Sequence, residues 1–571
     1  VPRQSPPNDI AWLTMRRMRS PLIVLILVYV LSILAMVSVP GADADGRPYH
    51  LSFLDAAYFV AVLQTTIGLG EIPHTFTEAQ RLLVYALLLP NVVAWLYSIG
   101  TLLGLLLDQQ FQAVLRSNRF SRQVRWMARP FYIVCGFGNT GSLAVSGLLA
   151  RGLRAVVVEK DPEAVHNITL DAQYAHVPAL VASAANRHVL EQAGLMHPKC
   201  RGLIATTNDD HTNLTIAISA KLLRPGLTVL ARSENQRVSD NLASFGTDYI
   251  INPYRIFAER LFLALRSPLK YLVQDWLISV PGSRLRDVVK PPTGHWIVCG
   301  AGRLGKPMLE QLAISKMPFT VVDVHPERLP AYERAVLGRG TEAHTLIDAG
   351  VHDAVGIIAA TGDDIDNLSI IMTAHELNPK LFIIARQERR QHEELFDASQ
   401  AHLVARRSMI VARRILTVVT APLVQPFVQH MARADESFAE QTAKALRKVL
   451  RDQAPNLWEI ELKDELAEGI RFTLARTSQV RIEHIILSSR SEEREQLDCV
   501  CLVLERGARR EFLPASSTPL QENDRLLFAG RSSARREMLW TLHDSHSLLG
   551  NVTGKHLPRG ALWRWLSDRR A

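Results

Sequence analysis

The sequence predicts an α-helical membrane unit, two tandem parallel α/β units, and a small α+β lobe at the C-terminal end. Three observations predict it. Two apolar runs, residues 22–39 and 82–107, carry no charge. A pattern of strand, G-x-G-x-x-G, helix, strand and acid occurs twice, 164 residues apart. A β-rich pattern, "REFLPASSTPLQENDRLLFAG" at 510–530, follows the second copy.

Totals bound the reading. A chain of 571 residues is too long for one core, and about three to five domains are expected. Apolar residues make up 47% and charged residues 21%, ordinary for a globular protein, so the membrane portion is a minority. The net charge of +9 suits nucleic acid, anionic lipid or an anionic ligand. The basic residues form no single patch, and there is no zinc-finger spacing or RNP-type aromatic strip, so no nucleic-acid partner is expected. The five cysteines, Cys135, Cys200, Cys299, Cys499 and Cys501, show no pairing pattern and read as small buried thiols.

The first element in order is a span over 21–39. A signal peptide is the rival reading, but the run is longer than a usual h-region. "VSVPGADADG" also offers no small-x-small cleavage site, and a second apolar run follows. That run, 82–107, is about 39 Å long as a helix, enough to cross with tilt. Arg3, Arg16, Arg17 and Arg19 precede the first span, and Arg116, Arg119, Arg122, Arg125 and Arg129 follow the second. The connecting loop holds only Arg47 and Arg81. The positive-inside rule places both termini in the cytoplasm of a multi-pass inner-membrane protein.

Within the loop, 51–63 is apolar, helical in period and too short to span. It leads directly into "TTIGLGEI", 65–72. A re-entrant helix returning as irregular backbone fits 51–72, because such backbone is tolerated at membrane depth where it lines a water or ion path. Glycine turns successive carbonyls toward an axis, Thr66 adds a hydroxyl, and such oxygens replace an ion's hydration shell. On the second span, Leu96, Gly100, Leu103 and Leu107 share a face that would line a cavity. Gly100 and Gly104 read equally as hinges or as close-packing positions. Pro90 is expected to kink this helix.

The strip Thr66, Ile67, Gly68, Leu69, Gly70, preceded by Thr65, resembles the potassium-channel signature Thr-Val-Gly-Tyr-Gly. It departs at Leu69, where the family usually has Tyr. The resemblance implies a K⁺-conducting filter and a homotetramer surrounded by lipid. A non-selective cation pore is the alternative that Leu69 keeps open.

The soluble part is duplicated. Gly136, Gly138 and Gly141 recur as Gly300, Gly302 and Gly305, and the strand-end acid Glu159 recurs as Asp323. The first glycine makes the tight turn, the second admits a pyrophosphate to the backbone, and the third lets helix and strand pack. The acid suits a ribose diol and would repel a 2′-phosphate, which favours NAD or ADP over NADP. "LIATTNDDHTNL" at 203–214 pairs with "IAATGDDIDNL" at 358–368, and "TVLARSE" with "FIIARQE"; Arg232 and Arg386 are 154 apart. Two Rossmann-like units follow.

These residues resemble the RCK (TrkA-N) domains of prokaryotic potassium channels and transporters. "FGTDYIINPYRIFAERL" at 245–261 matches the stretch leading to that family's crossover helix, and 399–416 is a degenerate second copy. The expected organisation is a pore domain at 1–107, a linker at 108–130, a first RCK domain at 131–290, a second RCK N-lobe with crossover helix at 291–430, and an RCK C-lobe at 431–571. The resemblance implies a ligand-gated channel whose cytoplasmic ring binds adenine nucleotide, NAD or ADP. Two-span channels with tandem RCK domains add Ca²⁺ as a candidate effector. Calcium-gated members carry carboxylates where this chain has Arg232 and Arg386, so these arginines, with Arg303, read as phosphate contacts or as salt bridges. Asp209, Asp210, Glu234, Asp363, Asp364 and Glu388 read as divalent-ion ligands, or the paired aspartates as helix N-caps. A membrane-tethered NAD-dependent oxidoreductase is the rival class, and no catalytic His or Lys/Tyr set supports it.

Overall fold

The computed structural model describes residues 9–42, 47–68, 74–279, 282–285, 290–450, 452–477, 479–489 and 495–554. The chain divides into two compact units, 1–127 and 128–571.

In the first unit, α1 (Asp9–Ser38) and α3 (Glu78–Leu107) are long and apolar enough to cross a membrane. Between them lies the short apolar α2 (Phe53–Gln64), and α4 (Gln109–Arg125) follows. Ser52 caps α2, and Thr77 with Gln80 forms a capping box on α3, so both starts are fixed by side chains. Ile33, Met36, Ala56, Phe59, Val60 and Phe76 make its small core. Polar side chains pin the helices together inside it. Asn91 Nδ2 donates to Ser32 Oγ at 2.7 Å, Ser98 Oγ to Pro21 O at 3.2 Å, and Tyr29 OH to Ala57 O at 3.0 Å. Each bond replaces a polar group otherwise stranded in an apolar surround. Helix α3 continues through Pro90 without a break in its assignment.

The second unit holds two six-stranded, all-parallel sheets. The first contains β1 (Phe131–Cys135), β2 (Arg154–Glu159), β3 (Ala179–Val181), β4 (Cys200–Ala205), β5 (Thr228–Arg232) and β6 (Tyr249–Ile251) in the order β3-β2-β1-β4-β5-β6. The second contains β7 (Trp296–Cys299), β8 (Phe319–Asp323), β9 (Ala335–Leu337), β10 (Gly356–Ala359), β11 (Phe382–Gln387) and β12 (Leu403–Arg406), ordered identically. This is the doubly wound order with its switch point between β1 and β4, or β7 and β10. The central strands are buried on both faces, which is why they read as unbroken apolar runs.

The two sheets exchange helices. Helix α7 (Pro253–Arg266) follows β6, yet Tyr254, Ala258, Leu261 and Phe262 pack into the core of the second sheet. Helix α11 (Arg407–Thr420) follows β12, and Val411, Ile415 and Val418 pack into the core of the first. The degenerate stretch 399–416 therefore keeps the strand and helix of its counterpart, because its apolar periodicity survives the loss of the motif. Beyond it, an antiparallel sheet of β13 (Asn456–Glu461), β14 (Cys499–Arg506), β15 (Arg509–Phe512) and β16 (Arg525–Gly530), ordered β13-β16-β14-β15, forms the α+β lobe. All five cysteines are free and buried, and burial pushes Cys299 and Cys499 up to about 12.

Candidate functional site

The strip after α2 winds out of that helix's last turn. Thr65 Oγ1 donates to Ala61 O at 2.9 Å, and the Thr66 and Ile67 N–H groups donate to Leu63 O and Val62 O, each at 3.2 Å. Thr66 and Gly68 have φ of 59° and 70°. That region strains a β-branched residue and suits glycine. A Cβ on Gly68 would meet nothing within 4 Å, so the dihedral and not the space calls for glycine. Leu69 and Gly70 of the predicted filter lie outside the described residues. On α3, Leu96 and Leu103 are exposed, and a Cβ at Gly100 or Gly104 would meet no atom within 4 Å. Among the described residues, nothing packs over Leu96, Gly100, Leu103 or Gly104 closely enough to bury them.

The two glycine loops are near copies. Gly136 and Gly300 have φ of 97° and 102°, turning the chain from β1 and β7 into helices. Those helices are α5 (Asn139–Ala150) and α9 (Gly305–Ile314). A Cβ on Gly141 would lie 1.9 Å from Gly136 O, and one on Gly305 1.8 Å from Gly300 O. Only hydrogen fits there. Gly138 and Gly302 face open space, the opening that a pyrophosphate needs. The strand-end acids brace the loops. Glu159 accepts from Phe137 N–H at 2.5 Å, and Asp323 from Ala301 N–H at 2.7 Å and His325 N–H at 2.9 Å. A cavity of about 650 Å³ opens over Gly300, Gly302, Asp323, Arg328 and Arg339. The residues thus fit a dinucleotide's phosphates and ribose.

At the ends of β5 and β11 the side chains turn inward. Arg232 is 1% exposed and pairs with Glu234; Arg386 Nε reaches Glu388 Oε1 at 2.6 Å and its guanidinium lies 4.7 Å from the Tyr254 ring centre. Arg407 joins the two pairs, 3.1 Å from Glu234 Oε1 and 2.9 Å from Glu388 Oε2. Arg303 of the second glycine loop lies 2.8 Å from Glu234 Oε2. Burial alone would raise Glu234, but Arg232, Arg407 and Arg303 outweigh it and hold the carboxyl below its ordinary range. A second cleft, about 680 Å³, runs between the two sheets past Glu234, Arg237, Arg255, Arg303 and Lys306.

Residues 22–107 match the ion-channel domain family, and residues 132–253 and 296–406 match the TrkA-N domain. The chain joins an ion-channel domain to two TrkA-N domains. An uncharacterised protein of Methanothermus fervidus is 30% identical over 242 residues, 42% of this chain and 37% of that one. Potassium channel protein 1 of Methanocaldococcus jannaschii is 24% identical over 242 residues, 42% of this chain and 68% of that one. Probable potassium channel protein 2 of the same organism is 23% identical over 216 residues, 37% of this chain and 60% of its own length. The chain thus spans between about a third and two-thirds of these relatives. Among solved structures, the GsuK channel overlays with a TM-score of 0.47 at 17% identity, covering 94% of this chain and 99% of that one.

Within the TrkA-N domains, the structure distinguishes between the alternatives that the sequence left open. Arg232 and Arg386 take the salt-bridge alternative, each pairing with a carboxylate two residues on, and Arg386 also lines the cavity over the second glycine loop. Asp209 and Asp363 cap helices, accepting from Thr212 N–H at 2.8 Å and Ile365 N–H at 2.8 Å. Asp210 and Asp364 hold the following loops, accepting from Glu234 N–H and Glu388 N–H at 2.9 and 2.7 Å. Glu234 and Glu388 are saturated by arginine. No group of three or more His, Cys, Asp or Glu placed to hold a metal occurs among the described residues, so the six carboxylates do not form the expected divalent-ion site. Sequence reading missed Arg407 and Tyr254. The 154-residue offset was the available signal for Arg407, since it aligns that residue with Pro253 at the start of the exchanged helix.

Proposed function

We propose that the chain is one subunit of a homotetrameric potassium channel of the bacterial inner membrane, with both termini cytoplasmic, opened or closed by NAD or ADP bound to its TrkA-N domains. The observation that carries this is the pairing, in one chain, of an ion-channel domain with two glycine loops whose Gly138 and Gly302 edges stand open. One chain supplies one strip of carbonyls around a pore, and four enclose it. The strip 65–70 forms the filter after the re-entrant α2, and the uncovered Leu96–Gly100–Leu103–Gly104 face of α3 lines the inner cavity, where the glycines serve as hinges. Glu159 and Asp323 receive the ribose hydroxyls, the loops receive the phosphates, and Arg303 offers a guanidinium to them.

Gating requires only that nucleotide bind the open and closed assemblies unequally. The relatives are named as potassium channels, and hydride transfer is not part of this reading. The test is ion flux from purified protein in liposomes, K⁺ against Na⁺, with and without NAD or ADP. K⁺-selective flux that responds to nucleotide is expected. Equal K⁺ and Na⁺ flux would replace it with a non-selective pore, and flux indifferent to nucleotide would remove the gating role.

A further inference from the structure

The two TrkA-N domains share a fold but differ in charge at one rim. In each, the acid ending the second strand marks the ribose position. The 164-residue offset aligns Asp161 with His325 and Ala164 with Arg328. Ala182 N–H donates to Glu159 O at 2.9 Å as Gly338 N–H donates to Asp323 O at 3.2 Å, which aligns Ser183 with Arg339. At these positions the first rim is acidic or neutral where the second carries two arginines and a histidine; the first rim's own cation, Lys160, is a single exposed lysine aligned with Val324. Arg328 Nη1 lies 3.4 Å from Asp323 Oδ2, and Arg339, two residues beyond β9, opens into the same 650 Å³ cavity. Arg328 is 40% exposed, and Arg339 is exposed with no ion pair among the described residues.

The repulsion that a strand-end acid exerts on a 2′-phosphate is offset at Asp323 by Arg328, and no described arginine does this at Glu159. Asp323 is one methylene shorter than Glu159, its side chain is 2% exposed, and two N–H groups and Arg328 already meet its charge. The other acids of this cavity are Asp363 and Asp366, at the start of the helix after β10, and Glu388, just past β11. Asp363 caps its helix and Glu388 is paired with arginine.

We propose that the second TrkA-N domain selects an adenine nucleotide bearing a phosphate on the ribose 2′-oxygen, gripped by Arg328 and Arg339, whereas the first selects the free ribose. Guanidinium forks match phosphate oxygens in geometry and charge. The inference rests on the nucleotide reading above, keeping NAD or ADP for the first domain and changing the ligand at the second.

Calorimetric titration of the full-length protein in detergent, with AMP and with adenosine 2′,5′-bisphosphate, tests it. Wild type is expected to show one class of sites preferring the bisphosphate by roughly ten- to a hundred-fold, the worth of charge-assisted bonds. Arg328→Ala with Arg339→Ser should bring that preference toward unity, while AMP binding at the first domain reports that the protein is folded. Ala164→Arg with Ser183→Arg should create the preference in the first domain. Equal wild-type affinities, or a preference that survives the double substitution, would overturn the inference while leaving nucleotide binding intact. Failure of either ligand to bind would overturn the nucleotide reading and this refinement together.

Discussion

At Gly305 a single methyl group decides whether the second glycine loop can close. Its Cβ would sit 1.8 Å from Gly300 O, a backbone atom that cannot step aside without opening the turn. Gly305→Ala is expected to cost about 1–3 kcal/mol and to abolish nucleotide binding at that domain. Gly302→Ala is the informative contrast. Its Cβ meets nothing in the protein, so thermal stability should stay within about 0.5 kcal/mol of wild type. Nucleotide affinity should nevertheless fall by roughly ten-fold or more, because the methyl occupies the pyrophosphate's approach. Differential scanning fluorimetry and calorimetry on the two variants separate the roles; equal stability losses would contradict the assignment. Asp323 combines both roles. Removing its carboxylate strands Ala301 N–H and His325 N–H, so Asp323→Ala should lose about 1–3 kcal/mol as well as affinity.

The exchanged helices α7 and α11 tie the two TrkA-N domains together, and charged side chains of both domains meet in the cluster at their starts. Arg407 is 12% exposed and bridges carboxylates from both domains. Arg407→Ala leaves Glu234 with Arg232 and Arg303, and Glu388 with Arg386, so the loss should be partial, about 1–3 kcal/mol. The pH dependence follows from the direction of the Glu234 shift. Its carboxyl is held below the reference value of 4.5, so its contribution is fully present above that pH and disappears as pH falls through the lowered value. Thermal unfolding from pH 7 to pH 3 should show this acid-side loss, and Arg407→Ala should move it to higher pH. A pH profile unchanged by the substitution would show that Arg407 does not hold Glu234 ionised. The same cluster shows what the sequence concealed. The duplication, the α/β class and the glycine loops were legible, because each is set by local periodicity or by glycine's lack of a side chain. The inward turn of Arg232 and Arg386 was not, since it depends on Arg407, 173 residues from Glu234, arriving through a helix that the other domain buries. The paired aspartates read two ways in sequence, and the N–H groups they face make Asp209 and Asp363 caps and Asp210 and Asp364 loop anchors.

For the whole molecule, the question is whether the membrane unit and the TrkA-N body can fail independently. They are separate compact units, 1–127 and 128–571, so a lesion in one should spare the fold of the other. Gly68 offers the cleanest lesion. Its φ of 70° lies in the left-handed region, while no described residue comes within 4 Å of a Cβ placed there. Alanine there costs about 1–2 kcal/mol of backbone energy. In the proposed tetramer that penalty falls on all four strips, and they would relieve it by turning their carbonyls away from the axis. Gly68→Ala is therefore expected to assemble, to bind nucleotide as wild type does, and to lose K⁺ flux in liposomes. Coupling adds a second readout. If nucleotide shifts the channel between states by the usual 1–3 kcal/mol, about 5–150-fold, then a substitution that locks the channel in one state must change nucleotide affinity by a factor bounded by the same coupling. A filter lesion that stops conduction without locking the gate changes none of it. Gly68→Ala with altered nucleotide affinity would mean that the strip is mechanically joined to the ring and is not only a filter. Intact K⁺ flux in that variant would remove residues 65–70 from the ion path altogether.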